Sequence, residues 1–418
     1  MNKLFKTRVI TKFILNPFIW FSLVWSLVLL IHSFHISLAY PSLSPAMATF
    51  FLIIIFCSIV FAVIYHKLFL TKLDFSPIKN SKPSWPFIIF SYMVLVAEIL
   101  YCKQVPIIAT LRNEMMAYQE FGIPTISFLN TTFVFFIALL ASIKAIYGDK
   151  KYIIPNLIIY ALCLMRFVLL YSRGSLALCL LMIVLTFISK RKITLILVIS
   201  TIIILIVGLV VFNALGNIRL GYAWNDSREF LRIAKVSKNY AFLKNVIWPL
   251  VYLDSPIGNL LYYESTASIE YSVGGLFSQL LPDFLSKRIF ASYNYVLERP
   301  IYALNVSSMF AGCFKYFGYP GMFFSYAELV ILIFVVSGIC AKNNKYLIAS
   351  SIGLTFISAM SFFDNMVTFS GYSFYLLYLV IACLIEKSDQ RYVQKEEIKL
   401  LLQFMETNGG MSFLSSDE

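Results

Sequence analysis

The chain has 418 residues, of which 60% are hydrophobic and only 13% are charged. That charged share is about half the share in a soluble domain, so a soluble fold is excluded and an integral membrane protein is indicated. The net charge of +13 is spread over many short segments, which argues against nucleic acid as a partner. No Cys-x-x-Cys pair or Cys/His cluster occurs, so the sequence predicts neither a disulfide framework nor a zinc site.

Ten apolar segments are candidate membrane-spanning helices, which need ~20 residues, and the sixth of them is short. In chain order they are Phe13–Leu38, Ala46–Tyr65, Trp85–Cys102, Ile126–Tyr147, Tyr152–Tyr171, Ser175–Ser189, Ile193–Ala214, Gly321–Ala341, Tyr346–Phe363 and Met366–Ile385. We expect the first to be retained, because it is too long for a signal peptide. The ninth and tenth are separated only by Asp364 and Asn365, which predicts a tight helical hairpin.

The distribution of Lys and Arg predicts the orientation of these spans. With the N-terminus inside, the cytoplasmic segments carry 20 Lys and Arg residues, and the short outer segments carry only Lys103, Arg112 and Arg173. The positive-inside tendency therefore places both termini in the cytoplasm. The predicted organisation is a seven-span bundle (1–214), a large outer loop (215–320), C-terminal spans (321–386) and a cytoplasmic tail (387–418) containing a surface helix.

The outer loop is unusually basic for its predicted side of the membrane. It holds Arg219, Arg228, Arg232, Lys235, Lys238, Lys244, Lys287, Arg288, Arg299 and Lys315. The positive-inside tendency should reduce the number of cations there. An anionic lipid-linked substrate would explain them.

Two arginines belong to the end of the fifth span. Arg173 stands beside Gly174, where we expect the helix to break, and its guanidinium can contact phosphate through two hydrogen bonds. Arg166 lies two turns deeper, where a charge is costly and points to function. Their seven-residue spacing predicts one shared helix face. The alternatives are an interfacial anchor for Arg173 and a purely structural pairing of Arg166 with Glu98.

The start of the outer loop contains two basic motifs. Gly216–Gly221 allows a tight turn that would hold Arg219 near the membrane surface. In the segment 228–238, four cations recur at steps of four, three and three residues. This spacing predicts a helix that lies in the interface with a basic face, the alternative being a solvated surface helix.

The segment Tyr252–Leu260 combines aromatic and short polar side chains. Pro256 and Gly258 predict a break between two apolar stretches. Asp254 and Asn259 could fix a sugar hydroxyl, and Tyr252 offers an aromatic face, although interfacial aromatic enrichment is the alternative explanation.

Further along the loop, Glu264 and Asp283 join Asp254 as candidate bases or positioning acceptors for a hydroxyl. The Gly and Pro residues of 305–321 predict a bent approach to the eighth span. His32, His35 and His66 form no site that the sequence indicates.

Several short strings resemble the Wzy-type O-antigen polymerases, the oligosaccharide repeat unit polymerase family. They are Ser172–Gly174, Gly216–Arg219, Tyr252–Leu260, Asn305–Gly321 and the outer stretch from Val105 to Pro124. The resemblance covers about Trp85–Gly321. The family's Arg-x10-Gly pattern is absent, so no catalytic residue is assigned from it.

The resemblance implies an all-α polytopic fold similar to GT-C glycosyltransferases, with about ten spans and one large periplasmic loop. It implies transfer of a glycan from undecaprenyl pyrophosphate to another lipid-linked repeat unit at the periplasmic face of the bacterial inner membrane. A chain-length regulator and a flippase are the expected protein partners, with membrane lipid around them. No nucleotide sugar, cofactor or metal is expected.

For this chemistry we assign residues to two roles. The catalytic candidates are Arg173, Arg219, Asp254 and Glu264. The substrate-binding candidates are Arg166, Arg299, Tyr252, Asn259, Lys244 and Arg112. The arginines would stabilise the charge that develops on the pyrophosphate leaving group.

Three other functions remain open at this point. An O-antigen ligase would share the chemistry but use the lipid A core as acceptor. A transporter or flippase is disfavoured because no internal repeat is visible. A eukaryotic membrane protein would make use of the glycosylation sequons Asn225–Ser227 and Asn305–Ser307.

Overall fold

A computed structural model describes residues 12–74, 78, 81–112, 121–190, 195–219, 222–293 and 298–386. In this part of the chain the regular structure is helical. The helices are α1 (Pro17–Ser33), α2 (Pro45–Leu68), α3 (Trp85–Cys102), α4 (Pro106–Leu111), α5 (Ile126–Tyr147), α6 (Ile153–Leu169), α7 (Arg173–Lys190), α8 (Leu195–Arg219), α9 (Arg228–Ile233), α10 (Ile247–Thr266), α11 (Val273–Leu280), α12 (Asp283–Ile289), α13 (Ala311–Cys340), α14 (Asn344–Met360) and α15 (Ser370–Glu386).

The lengths and apolarity of these helices match a multi-pass membrane protein. Among the described residues, five helical stretches are long and apolar enough to cross a bilayer, and they contain α2, α3, α5, α6 and α13. Shorter apolar helices include α1, most of α7, a part of α8 and α15.

Each of the ten predicted spans coincides with a helix, but several boundaries differ. The first helix ends at Ser33 and not at Leu38, and the tenth begins at Ser370 and not at Met366. The helix of the seventh span continues to Arg219. The helix of the eighth begins at Ala311 and bends at Gly318 (φ +60°), just before Pro320. The bent approach expected from this Gly- and Pro-rich stretch is confirmed. The predicted surface helix in the tail lies outside the described residues.

The predicted tight hairpin between the last two spans is wrong. Residues 361–369, which we call the connector, separate α14 from α15. The connector pairs its backbone with the large loop: Met309 N donates to Ser361 O (3.0 Å), and Asp283 N donates to Thr368 O (2.9 Å). These partners are distant in sequence, so the local pattern could not reveal them.

Local sequence explains where three of the helices begin. The side chains of Asn16, Ser44 and Asn343 accept backbone N–H groups of α1, α2 and α14, respectively. In the first two cases proline follows the cap, and proline has no N–H to leave unpaired at the first helical position.

Hydroxyl pairs connect the helices within the bundle. Tyr65 Oη of α2 lies 2.9 Å from Ser337 Oγ of α13 and 3.2 Å from Ser351 Oγ of α14. Ser58 Oγ and Tyr326 Oη lie 2.6 Å apart. Such bonds between buried helices contribute about 0.6–2 kcal/mol each.

The bundle has two ends, and the loops divide between them as the alternation of spans predicts. At one end, Ser44 contacts Glu264 of the large loop (2.9 Å), and Arg288 donates to Thr125 Oγ1 (3.4 Å). We call this the loop end. At the opposite end, Lys144 Nζ donates to Ser84 Oγ (2.8 Å).

Helix α10 runs without interruption through Pro256, so the predicted break there is wrong. Proline leaves the carbonyl four residues earlier without its helical donor. That carbonyl belongs to Tyr252, and Ser255 Oγ donates to it at 2.9 Å. Gly258 allows the Tyr40 ring to pack directly against helix α10, because an added Cβ would lie 2.4 Å from that ring.

We expect Ser255→Ala to destabilise the protein by about 1 kcal/mol, because the Tyr252 carbonyl then loses its donor. In a Pro256→Ala background the same change should cost less, since the backbone N–H of residue 256 would serve that carbonyl. Thermal unfolding of the four proteins in detergent measures the difference. Equal costs in both backgrounds would contradict this role of Ser255.

Candidate functional site

The connector brings together elements from across the chain at the loop end. Besides its bonds to Met309 and Asp283, its Asn365 Nδ2 donates to Gln279 O of α11 (3.4 Å). Asp283 Oδ1 in turn accepts the backbone N–H of Ser370 (3.1 Å) and the Ser370 hydroxyl. The connector is therefore docked on α11 and α12 of the large loop.

Asp364 is the chemically distinctive residue of the connector. Water reaches its side chain, yet protein atoms surround the carboxyl group. This desolvation, with the Asp283 carboxylate nearby, raises the pKa of Asp364 to about 6, although a hydrogen bond from Asn365 N (2.8 Å) opposes the shift. A carboxyl group that is accessible and titrates near neutrality is suited to proton transfer.

A second acidic residue approaches the connector from α13. Glu328 lies within hydrogen-bonding reach of the Asn365 side chain. Its Oε2 atom is buried and has no hydrogen-bond partner among the described residues. A carboxyl group within a membrane-spanning helix is costly and marks a candidate functional position.

Two sequence-predicted positions meet the connector or the helix that follows it, α15. The Tyr252 ring lies 5.4 Å from the ring of Phe363. Gly174 approaches Tyr372 so closely that an added Cβ would lie 2.3 Å from the tyrosine hydroxyl. This places the backbone of Arg173, the first residue of α7, beside the start of α15.

We define the outer cluster as Tyr252, Asp283, Glu328, Asp364 and Asn365. Sequence reasoning named Tyr252 and Asp283 but missed Asp364 and Glu328. A signal was present: Glu328 is an acidic residue inside an apolar span, and Asp364–Asn365 was interpreted only as a turn. The outer cluster is our candidate functional site.

The helix break near Arg173 differs from the predicted one. Helix α6 ends at Leu169, and Tyr171 adopts a left-handed conformation (φ +53°). Tyr171 N donates to Val168 O (2.9 Å), and Ser172 N donates to Phe167 O (3.0 Å), the hydrogen bonds of a Schellman motif. Arg166 and Arg173 therefore belong to different helices and share no helix face.

Arg166 is enclosed in the bundle with the partner that the sequence predicted. Its guanidinium Nη2 lies 3.6 Å from Glu98 Oε2, and both side chains are 0% exposed. Arg166 Nη1 also donates to Thr131 Oγ1 (3.3 Å). This arrangement favours the structural pairing over substrate binding.

Asp254 has a buried partner that sequence reasoning missed. His32 Nδ1 lies 2.7 Å from Asp254 Oδ1, and His32 Nε2 lies 3.1 Å from the Pro41 carbonyl oxygen. Since a carbonyl oxygen can only accept, Nε2 must carry a hydrogen. The Nδ1 contact then needs a further proton, on the ring or on the carboxyl group. The pair therefore links α1 to α10, with one proton between the imidazole Nδ1 and the carboxyl oxygen.

Asn259 and Glu264 also bind protein groups. Asn259 Nδ2 donates to Val306 O (2.8 Å) and Leu304 O (3.3 Å), with the side chain fully buried. Glu264 accepts from Ser44 Oγ (2.9 Å) and from the Tyr319 hydroxyl. Both residues fasten helix α10 to neighbouring segments.

The Gly216 motif is built around Trp248. An added Cβ at Gly216 would lie 2.6 Å from the Trp248 ring, and Trp248 Nε1 donates to Asn217 Oδ1 (2.9 Å). Arg219 is the last residue of α8. The side chains of Arg219 and Arg173 lie outside what the structure describes.

The predicted basic helix over 228–238 is wrong in its extent. Helix α9 ends at Ile233, and Lys235 is left-handed (φ +46°). Arg228 pairs with Asp226 (2.8 Å), and the hydrogen bonds from Arg228 lower the pKa of Asp226 to about 2. Arg232 pairs with Glu229. Intrachain carboxylates thus take up two of the four cations.

Three substrate-binding candidates lie at the surface. Lys244, Arg299 and Arg112 are exposed, and none forms an ion pair with a residue that the structure describes. Their cationic groups are open to an external anion.

Within the described residues, no group of three or more His, Cys, Asp and Glu side chains is placed to hold a metal ion. Comparison with protein families, with curated proteins and with solved structures found no match.

We expect Glu98→Ala to destabilise the protein by about 3–5 kcal/mol, because it leaves the buried Arg166 guanidinium unpaired. The double variant Glu98→Leu with Arg166→Leu should recover most of that loss and keep wild-type activity. Thermal unfolding and a product assay check the two expectations. A double variant that is stable but inactive would instead show that Arg166 contacts substrate.

Proposed function

We propose that the chain is a membrane glycosyltransferase. It would join undecaprenyl-pyrophosphate-linked oligosaccharide repeat units into O-antigen polysaccharide at the periplasmic face of the bacterial inner membrane. The short strings that resemble repeat unit polymerases support the proposal. The observation that carries it is the outer cluster, in which Asp364 lies near Asp283, and Glu328 lies within reach of Asn365, at the end of the bundle where the basic loop lies.

Asp364 takes the role of the acceptor base in this proposal. Its carboxylate would accept the proton of the acceptor sugar hydroxyl as that oxygen attacks the donor. The hydrogen bond from Asn365 N (2.8 Å) orients the carboxyl group. Asp254 and Glu264, the bases proposed from sequence, are less suited because His32, Ser44 and Tyr319 occupy them.

The donor side of the reaction requires cations. A bond forms between the acceptor oxygen and the anomeric carbon of the donor, and the bond from that carbon to the pyrophosphate oxygen breaks. The bonding electrons leave with the pyrophosphate, so negative charge grows there. Arg173, Arg219 and Arg299 are the proposed cations, with Lys244 and Arg112 as further surface cations for the anionic lipid.

Tyr252 offers the outer cluster an apolar aromatic surface. Its ring lies 5.3 Å from the ring of Phe212 and 5.4 Å from the ring of Phe363, both in tilted geometry. Sugars present C–H faces and hydroxyl edges, so an aromatic ring beside carboxyl and amide groups suits a glycan. In this scheme a flippase supplies the lipid-linked unit, and a chain-length regulator acts on the growing polymer.

We expect Asp364→Asn to abolish polymer formation while leaving the protein folded. In the wild type the rate should rise with pH through about 6, because the base acts in its deprotonated form. Asp283→Asn removes the neighbouring charge that raises this pKa, so the acidic limb of the profile should move to lower pH. An unchanged limb in Asp283→Asn would contradict the assignment of Asp364.

We expect Arg173→Ala and Arg219→Ala each to give lipopolysaccharide with a single repeat unit. A lost oxyanion-stabilising donor typically lowers the rate about 100- to 1,000-fold. Gel analysis of lipopolysaccharide measures the ladder, and Arg228→Ala is the matched control because Asp226 already pairs with that arginine. Wild-type ladders from both variants would remove the pyrophosphate role.

The same preparation separates a polymerase from a ligase. A polymerase should lengthen lipid-linked repeat units in the absence of any lipid A core. Product that appears only when the core is added would favour the ligase.

A further inference from the structure

Two cavities lie along one outer face of α3, and together we call them the groove; they extend from Trp85, at the end of the bundle opposite the large loop, to the loop end. The first part of the groove is a cavity of about 470 Å³, lined by Trp85, Ile89, Tyr92 and Val96 among others. These residues are separated by steps of four, three and four, so they lie along a single helix face. The lining is almost wholly apolar.

The second cavity of the groove lies at the end of α3. This cavity has a volume of about 520 Å³ and is lined by Leu100, Lys103 and Arg112 among others. Leu100 lies four residues beyond Val96 and so extends the same face. From residue 85 to residue 100 the helix rises about 22 Å, most of the ~30 Å thickness of a hydrocarbon core.

The groove faces outward from the bundle. Leu100 is 71% exposed and Val96 is 54% exposed, and apolar side chains this open on a membrane protein contact lipid. The carboxylate of α3, Glu98, is instead fully buried against Arg166, so the helix presents its polar residue inward and its groove to the bilayer.

Two cations stand at the loop end of this groove. Lys103 and Arg112 are both exposed, and neither forms an ion pair with a residue in the described ranges. Lys103 and Arg112 are two of the three Lys and Arg residues in the short segments that are predicted to lie on the outer side of the membrane. A cation pair at the interface above an apolar groove is complementary to a lipid with an anionic headgroup.

We propose that this groove binds one anionic phospholipid of the bilayer. Its phosphate would lie between Lys103 and Arg112, and one acyl chain would follow the face of α3. The site shares Arg112 with the residues proposed to bind the substrate lipid, but it lies outside the outer cluster.

The same structure favours a bilayer lipid over a lipid-linked substrate as the occupant. None of the residues lining the two cavities belongs to the outer cluster. The 121–125 segment lies between the groove and α12: Gly122 N donates to Cys102 Sγ (3.1 Å), and Thr125 accepts from Arg288.

Native mass spectrometry tests the proposal on the full-length protein from bilayers with equal amounts of phosphatidylglycerol and phosphatidylcholine. The wild type should retain phosphatidylglycerol in preference. Lys103→Gln and Arg112→Gln should each lower that retention about fivefold, from ~1 kcal/mol per interfacial cation. Val96→Phe should lower it as well, because the added ring fills the groove without altering charge.

A matched control is the pair Lys235→Gln and Lys238→Gln, which removes two exposed loop-end cations outside the groove and should leave retention unchanged. Equal retention of both lipids by the wild type would overturn the proposal, as would wild-type retention in the Lys103→Gln/Arg112→Gln variant. A third overturning result is displacement of phosphatidylglycerol by undecaprenyl diphosphate from the wild type but not from Val96→Phe, since it would identify a substrate lipid as the occupant.

Discussion

Polar groups within this bundle need partners from the protein itself, because hydrocarbon offers no hydrogen bonds. The structure meets this constraint repeatedly with short side chains. Ser255 donates to the carbonyl that Pro256 leaves unpaired. Arg166 lies against Glu98 and Thr131. The pairing of Arg166 is incomplete, since its Nε and Nη2 atoms have no hydrogen-bond partner among the described residues. These contacts hold the helices in their arrangement, and the arrangement in turn limits which polar residues remain free for chemistry.

The same constraint changes which of the candidate residues are free to contact a substrate. Asp254, Asn259 and Glu264 all lie on α10 in the large loop and looked suited to sugars. Each is already bonded to another segment of the protein, which makes α10 the element that fastens the loop to the spans. In the reaction that we propose, proton transfer is therefore assigned to Asp364, whose side chain is exposed and has fewer protein partners. Its connector is held by backbone bonds to residues 283 and 309, so the carboxyl group is presented on a docked segment.

The two lipid-related sites that we propose differ in their physical basis. The outer cluster is polar, faces the large loop and relies on proton transfer and on nearby cations. The groove on α3 is apolar, faces the bilayer and relies on two cations at its end. The buried Glu98–Arg166 pair lies on the inner face of α3, and the groove lies on its outer face.

The sequence by itself determined the helical, multi-pass architecture, since apolar runs of fixed length and helix caps such as Asn16 and Ser44 are local properties. It also predicted the Glu98–Arg166 pair and the bend before the eighth span. A charge inside an apolar run needs a partner of opposite charge, and a Gly–Pro combination there interrupts the regular helix. Tertiary structure alone decided that His32 meets Asp254, that Asp364 lies near Asp283, and that Glu328 lies within hydrogen-bonding reach of Asn365. Those residues lie far apart in the chain, and their proximity follows from how the helices pack, which no local pattern encodes.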